Sequence, residues 1–246
     1  MTTGFDGYWR RQSQKACLVQ PLLSMQSPMV TDRWCPTISH RTYAGRDLRR
    51  GCSTGLGMDG WFGVPVEELP RVAELEYALP SGAKQFVPEV CPSYERVLEY
   101  PRGLVELDRI NSAEFRTSVF GAIKLHASAQ ALAKFYSALT RKDGPVRKLL
   151  GQSLHDEYLA SQACGSDETV GLTVNWTLGL LRTSDFIGLG GLGGSAAWWS
   201  LRHNHGVSYV NRRLHDHSRA AQIASALGDT SPWNSAVAKR AVADSG

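Results

Sequence analysis

The stretch FIGLGGLGGSAAWWSLRHNHGVSYVNRRL, residues 186–214, decides how this chain is read. Five glycines between Gly188 and Gly194 interrupt an apolar run, and AAWW and GVSYV then follow on either side of the polar tip RHNHG. Aromatic and β-branched runs flanking a short glycine-containing loop specify a hairpin. Strands are therefore expected over Ser195–Leu201 and Val207–Asn211. Just downstream, Ser218 is placed to cap a last helix, Arg219–Leu227, with Ala220, Ile223 and Leu227 at helical spacing and Gly228 at its end.

Upstream of the hairpin, Leu172–Leu181 reads as a further strand. The clearest helix runs from about Ser128 to Lys142. Leu125, Ala129, Leu132, Tyr136 and Leu139 share one face, Ser128 can cap the first turn, Arg141 and Lys142 suit the negative end, and Gly144-Pro145 stops it. A second helix is expected after Pro145, carrying Leu149, Leu150, Leu154 and Tyr158. Residues 55–75 open as a glycine-rich loop with Trp61 and Phe62 as buried anchors, and prolines at 80, 88, 92 and 101 forbid a long helix before Leu107. Strands following helices in this order predict an α+β fold, an antiparallel sheet flanked by helices.

The chain has 246 residues, 42% of them apolar, which is ordinary globular composition. Its net charge of +4 is uneven: residues 1–50 hold eight Lys/Arg against three Asp/Glu, and the remainder is balanced. With prolines at 21, 28 and 36 and no periodicity, residues 1–51 read as an irregular basic arm, 52–228 as the folded domain and 229–246 as a tail. The basic residues are scattered, so nucleic-acid binding is not expected. Five cysteines without C-x-x-C spacing indicate neither a zinc knuckle nor a disulfide framework and fit a reducing compartment, so the protein is expected to be cytoplasmic. Arg10-Arg11 imitates a twin-arginine leader, but Pro21 and the glutamines interrupt its apolar run. No window reaches the roughly eighteen apolar residues of a membrane span.

Four motifs carry possible chemistry. Gly188-x-Gly190-x-x-Gly193 matches the dinucleotide fingerprint, which also requires a helix directly after the glycines; a helix beginning at Gly194 would support it, and a strand is expected there instead. His203-x-His205 and His215-x-His217 gather four imidazoles within fifteen residues. The first pair falls at the hairpin tip and the second in the polar lead-in to the last helix, so both read as water-facing, and no metal site is assigned. The only S-x-x-K is Ser81-Gly82-Ala83-Lys84, in which a lysine one turn along a helix would take the serine's proton. Pro80 and Gly82 make it a poor helix start and an accidental match. The only Tyr-x-Asn, Tyr209-Val210-Asn211, lies within a strand, where Tyr209 reads as packing.

Three segments, GMDGWFGVPVEELPRVAEL (57–75), NSAEFRTSVFGAIKLHASAQALAKFYSAL (111–139) and FIGLGGLGGSAAWW…GVSYVNRRL (186–214), together resemble the C-terminal half of the class C β-lactamase-related serine hydrolases. The resemblance implies an incomplete β-lactamase/transpeptidase-like fold, with ester or amide hydrolysis or acyl transfer as the activity and no metal or organic cofactor. Its third motif implies substrate binding at Leu189, Gly190 and Gly191, but Leu189 stands where related sequences carry His or Lys. The family's S-x-x-K and Y-x-N precede the first matched segment, where this sequence has the basic arm. Ser81 and Lys84 are the only nucleophile pair to be named. The expectation is a catalytically impaired homologue acting, if at all, on a small ester or amide. The alternatives are a non-catalytic pseudoenzyme or scaffold, homo-oligomeric or completed by a partner chain, and more distantly a nucleotide-binding enzyme.

Overall fold

A computed structural model describes residues 57–81, 103–119, 125–167 and 172–230. In chain order its elements are β1 (Gly60–Phe62), a 3₁₀ helix (Val66–Arg71), β2 (Glu76–Tyr77), α1 (Leu107–Ile110), α2 (Ala113–Thr117), β3 (Leu125–Ala127), α3 (Ala129–Thr140), α4 (Pro145–Leu150) and α5 (Gln152–Leu159). There follow β4 (Ala163–Asp167), β5 (Leu172–Trp176), β6 (Leu181–Arg182), β7 (Phe186–Gly190), β8 (Ala196–Ser200), β9 (His205–Tyr209), β10 (Arg213–Leu214) and α6 (Ser218–Ala226). The fold is α+β, as the sequence indicates. Among the described residues, no helix is long and apolar enough to cross a membrane. The basic arm, Lys84 and most of the proline-rich stretch lie outside the described residues.

Strands β4 to β9 form one antiparallel meander in sequence order. Its centre is covered on both faces. Ile187 and Leu189 of β7 and Ala197 and Trp199 of β8 pack with Leu132, Tyr136 and Leu139 of α3. Their alternates Phe186, Ala196 and Trp198 pack with Ala220 and Ala224 of α6. Successive strand residues point to opposite faces, so a strand covered on both sides must be apolar throughout. That is why AAWWS is a continuous buried run and not an alternating one.

Helix α3 forms where the apolar spacing places it. Ser128 Oγ accepts from the Ala131 N–H at 3.1 Å, satisfying an orphan donor of the first turn. The expected second helix is two helices, α4 and α5, because Gly151 between them takes φ 77°. Ser218 does not cap α6 with its hydroxyl. Asp216 does that work two residues earlier, its Oδ1 accepting from the Ser218 N–H at 3.0 Å. The span expected as one strand over 172–181 breaks after Trp176, where Thr177 and Leu180 close a turn leading to β6.

A second cluster, Val64, Val72, Leu75, Leu104, Ile110, Phe115 and Leu214, joins residues 57–81 and 103–119 to the strand after the hairpin. Parallel pairing of β10 with β2 supports it, with Leu214 opposite Tyr77. Asn111 clamps the same lobe: its side-chain amide accepts from Leu75 N and donates to Leu75 O, both at 2.9 Å. Arg116 is buried and donates to Asn111 Oδ1 at 2.9 Å.

Candidate functional site

The glycine-rich turn joins β7 to β8, and its glycines answer to the chain's own backbone. Gly193 and Gly194 have φ of 87° and 88°, a region that side-chain-bearing residues rarely occupy. A methyl group at Gly194 would lie 2.0 Å from the Asp216 carbonyl oxygen, and one at Gly193 would lie 2.5 Å from Leu214 Cδ2. At Gly188 it would meet Trp198 Cβ at 2.4 Å across the β7–β8 pair. The turn is therefore pressed against residues 214–216.

Several of its backbone groups bond to the turn itself or to residues 211–217. Gly191 N–H donates to Ser195 O at 2.7 Å, and Gly194 N–H to Gly191 O at 3.2 Å. His215 N–H donates to Gly193 O at 3.0 Å, and Asn211 Nδ2 reaches the same carbonyl at 2.9 Å. Ser195 Oγ donates to Asn211 Oδ1 at 2.7 Å. A phosphate cradle needs amides aimed outward at a helix N-terminus. Here two amides of the turn are consumed and a strand follows it, so the nucleotide reading loses the helix it required.

Of the three residues at the third-motif position, Leu189 is buried in the core facing α3, Gly191 is buried and Gly190 is partly buried. Leucine there adds to the core and supplies neither charge nor a donor. Ser81 stands in an exposed turn directly after Pro80. Its expected partner Lys84 lies outside the described residues.

His217 borders the turn. Burial drives its imidazole down to about pKa 4, against the opposing pull of the Asp216 charge and a hydrogen bond with the Gly191 backbone. Burial pushes the Asp216 carboxyl upward, but the bonds from Ser218 and then His215 outweigh it and bring the value to about 2.

A separate polar cluster lies at the far end of the β8–β9 hairpin. Asp229, the first residue of the segment read as a tail, has a side chain fully withdrawn from water. Trp198 Nε1 donates to its Oδ2 at 3.0 Å and Ser200 Oγ to its Oδ1 at 2.5 Å. His203 Nδ1 lies 2.8 Å from Oδ1 and His205 Nε2 lies 3.5 Å from Oδ2. Burial tends to raise the Asp229 pKa, and the bonds from Ser200, Trp198 and His203 more than reverse it, holding the carboxylate charged. His203 and His205 thus face a buried carboxylate as well as water. Sequence spacing marks the two imidazoles; nothing local marks Asp229 as their partner.

An open cleft of about 430 Å³ lies beside this cluster, between α3 and β9, with Gln130, Ala133, His205, Gly206, Ser208 and Leu227 in its lining. It does not include Leu189, Gly190 or Gly191.

No family model matches the sequence, and no curated protein matches it significantly. Solved structures do. The esterase EstA from Arthrobacter nitroguajacolicus Rue61a is similar over 71% of this chain and 50% of its own, with 22% identity and a TM-score of 0.56. A penicillin-binding protein homologue from Caulobacter crescentus is similar over 70% of this chain and 47% of its own, with 26% identity and a TM-score of 0.54. A family VIII carboxylesterase matches at 18% identity and a TM-score of 0.52, over 67% of this chain and 44% of its own. The chain thus spans about half the length of the structures it matches.

Proposed function

From the premise that this chain carries part of the β-lactamase-related serine-hydrolase fold, we propose that it is a homologue of enzymes that hydrolyse or transfer acyl groups of small esters or amides, and that these 246 residues do not complete the reaction unaided. One observation carries the second clause: the third-motif position is Leu189, buried in the core against α3. Acyl transfer needs a nucleophile whose proton has somewhere to go and donors at the developing oxyanion. A leucine methyl group provides neither, and the turn beyond it spends the Gly191 and Gly194 amides on its own carbonyls. Ser81, with Lys84, remains the one nucleophile pair the sequence offers.

The test is labelling of purified, folded protein with a fluorophosphonate and a penicillin-type probe, followed by mass spectrometry of the modified peptide. No stoichiometric adduct is expected. One adduct per chain at Ser81 would show that the nucleophile works from this position and would overturn the impaired reading.

A second reading, a scaffold completed by another chain, draws on β9. That strand ends the meander and has no further strand paired to it among the described residues. An open edge invites strand addition. Sedimentation velocity over a concentration series tests self-association; a single monomeric species throughout would remove the homo-oligomeric form of this reading.

A further inference from the structure

We infer that His203, His205 and Asp229 form a binding site for a single divalent transition-metal ion, Zn²⁺ by preference. The site is independent of the hydrolase reading, being built at the opposite end of β8 from the glycine-rich turn.

Two imidazole nitrogens and one carboxylate oxygen suit zinc and its first-row neighbours, whereas magnesium and calcium take oxygen shells. Zinc binds such donors at about 2.0–2.2 Å, so two adjacent donors of a tetrahedral site stand about 3.3 Å apart. One ligand atom from each of the three residues lies within 4.8 Å of the others. His203 Nδ1 to Asp229 Oδ1 is 2.8 Å, and His205 Nε2 to Asp229 Oδ2 is 3.5 Å. The second separation is long for a hydrogen bond and suits two atoms that share an ion. His205 Nε2 is sealed from water and makes no hydrogen bond. The two rings are already parallel, 10° apart with centroids at 5.7 Å, so neither blocks the other's approach.

The surroundings hold the donors as a metal site requires. Ligating carboxylates are themselves hydrogen-bonded, which fixes their direction. Trp198 Nε1 and Ser200 Oγ do this for Asp229. Ser200 Oγ also accepts from the His203 N–H at 3.1 Å, fixing the backbone of the hairpin tip. Asp229 is delivered by the end of α6, where its N–H donates to Ala224 O at 2.9 Å. The preceding Gly228 turns the chain out of the helix at φ 73°, a conformation glycine accepts readily. Three protein ligands leave a fourth position for water or a small anion, and His205 also lines the neighbouring cleft. A bound ion would tie the hairpin tip to the C-terminus of α6.

The experiment is titration of the full chain, cleared of metal with a chelator, with Zn²⁺ by calorimetry and with Co²⁺ by visible absorption. Both should show one equivalent bound, with cobalt giving the intense bands of a tetrahedral site. His205→Gln, on a partly exposed side chain, should weaken Zn²⁺ binding beyond the 10- to 100-fold that loss of an outer-shell partner costs. Ser200→Ala should fall in that about 10- to 100-fold range. His215→Gln should leave binding unchanged. Far-UV circular dichroism shows that each variant is folded. Failure of the folded wild-type chain to bind Zn²⁺ would overturn the assignment, and so would unchanged binding in a folded His205→Gln.

Discussion

Lowering the pH from 7 to 5 should cost the folded protein about 2 kcal/mol through His217 alone. The imidazole has an ordinary value of 6.5 and is drawn down to about 4, chiefly by burial, with its Nε2 out of contact with water. The unfolded chain therefore takes up the proton first. Because the folded pKa lies below the unfolded one, the contribution is whole above pH 6.5 and is lost as the pH falls towards 4. Each unit of difference corresponds to about 1.4 kcal/mol, so the complete loss is about 3 kcal/mol. Against a typical total stability of about 5–15 kcal/mol this is a large share.

Urea unfolding followed by circular dichroism between pH 7 and 4.5 measures it. Asp216 does not confuse the window: its carboxyl is held at about 2 against an ordinary 3.8, so its contribution is lost only below the histidine range. His217→Gln, which cannot titrate, should flatten the stability curve between pH 6.5 and 4 even if it is less stable at pH 7. A variant that keeps the wild-type slope, or a His217 ring that titrates by NMR near 6.5 in the folded protein, would refute this role of His217.

Three substitutions probe the packing. Gly194→Ala forces a methyl group to within 2.0 Å of the Asp216 carbonyl at φ 88° and should cost about 3 kcal/mol or more; a urea midpoint within error of wild type would show that the turn can yield. Leu132→Ala removes a side chain that is 1% exposed between α3 and the sheet, with an expected loss of about 2–5 kcal/mol by the same measurement. Asn111→Ala leaves the Leu75 N–H and C=O without their clamp and should cost about 2 kcal/mol. That loss should appear first as faster amide exchange at Leu75.

The parts legible in the sequence are those whose signal is local. Helix α3 follows from one apolar stripe and one serine cap, and the β8–β9 hairpin from two apolar runs around RHNHG. The parts that escaped depend on partners distant in sequence or on single backbone angles. Gly151 divides one apparent helix through its φ of 77°. Asp216 displaces Ser218 as the cap of α6 because a carboxylate two residues upstream reaches the same N–H. Strand β4, ACGSD, carries no alternation and is held by pairing with β5 along its whole length. Asp229 lies 26 residues from His203, in a stretch whose composition suggests only a tail.

The glycine-rich turn shows why a motif legible in sequence can still mislead about chemistry. Glycines at 188, 190, 191, 193 and 194 report that something approaches the backbone closely, but not what. In a dinucleotide site the close object is a pyrophosphate, and in an acyl-transfer site it is the substrate's carbonyl. Here Gly188 admits Trp198, Gly193 admits Leu214 and Gly194 admits Asp216. These contacts lock the end of the β7–β8 pair to the strand that joins the second lobe. At these three glycines the same steric requirement therefore serves the fold. Chemistry is better sought where polar groups converge without a backbone reason to do so, and at the other end of β8 the imidazoles of His203 and His205 and the carboxylate of Asp229 do so.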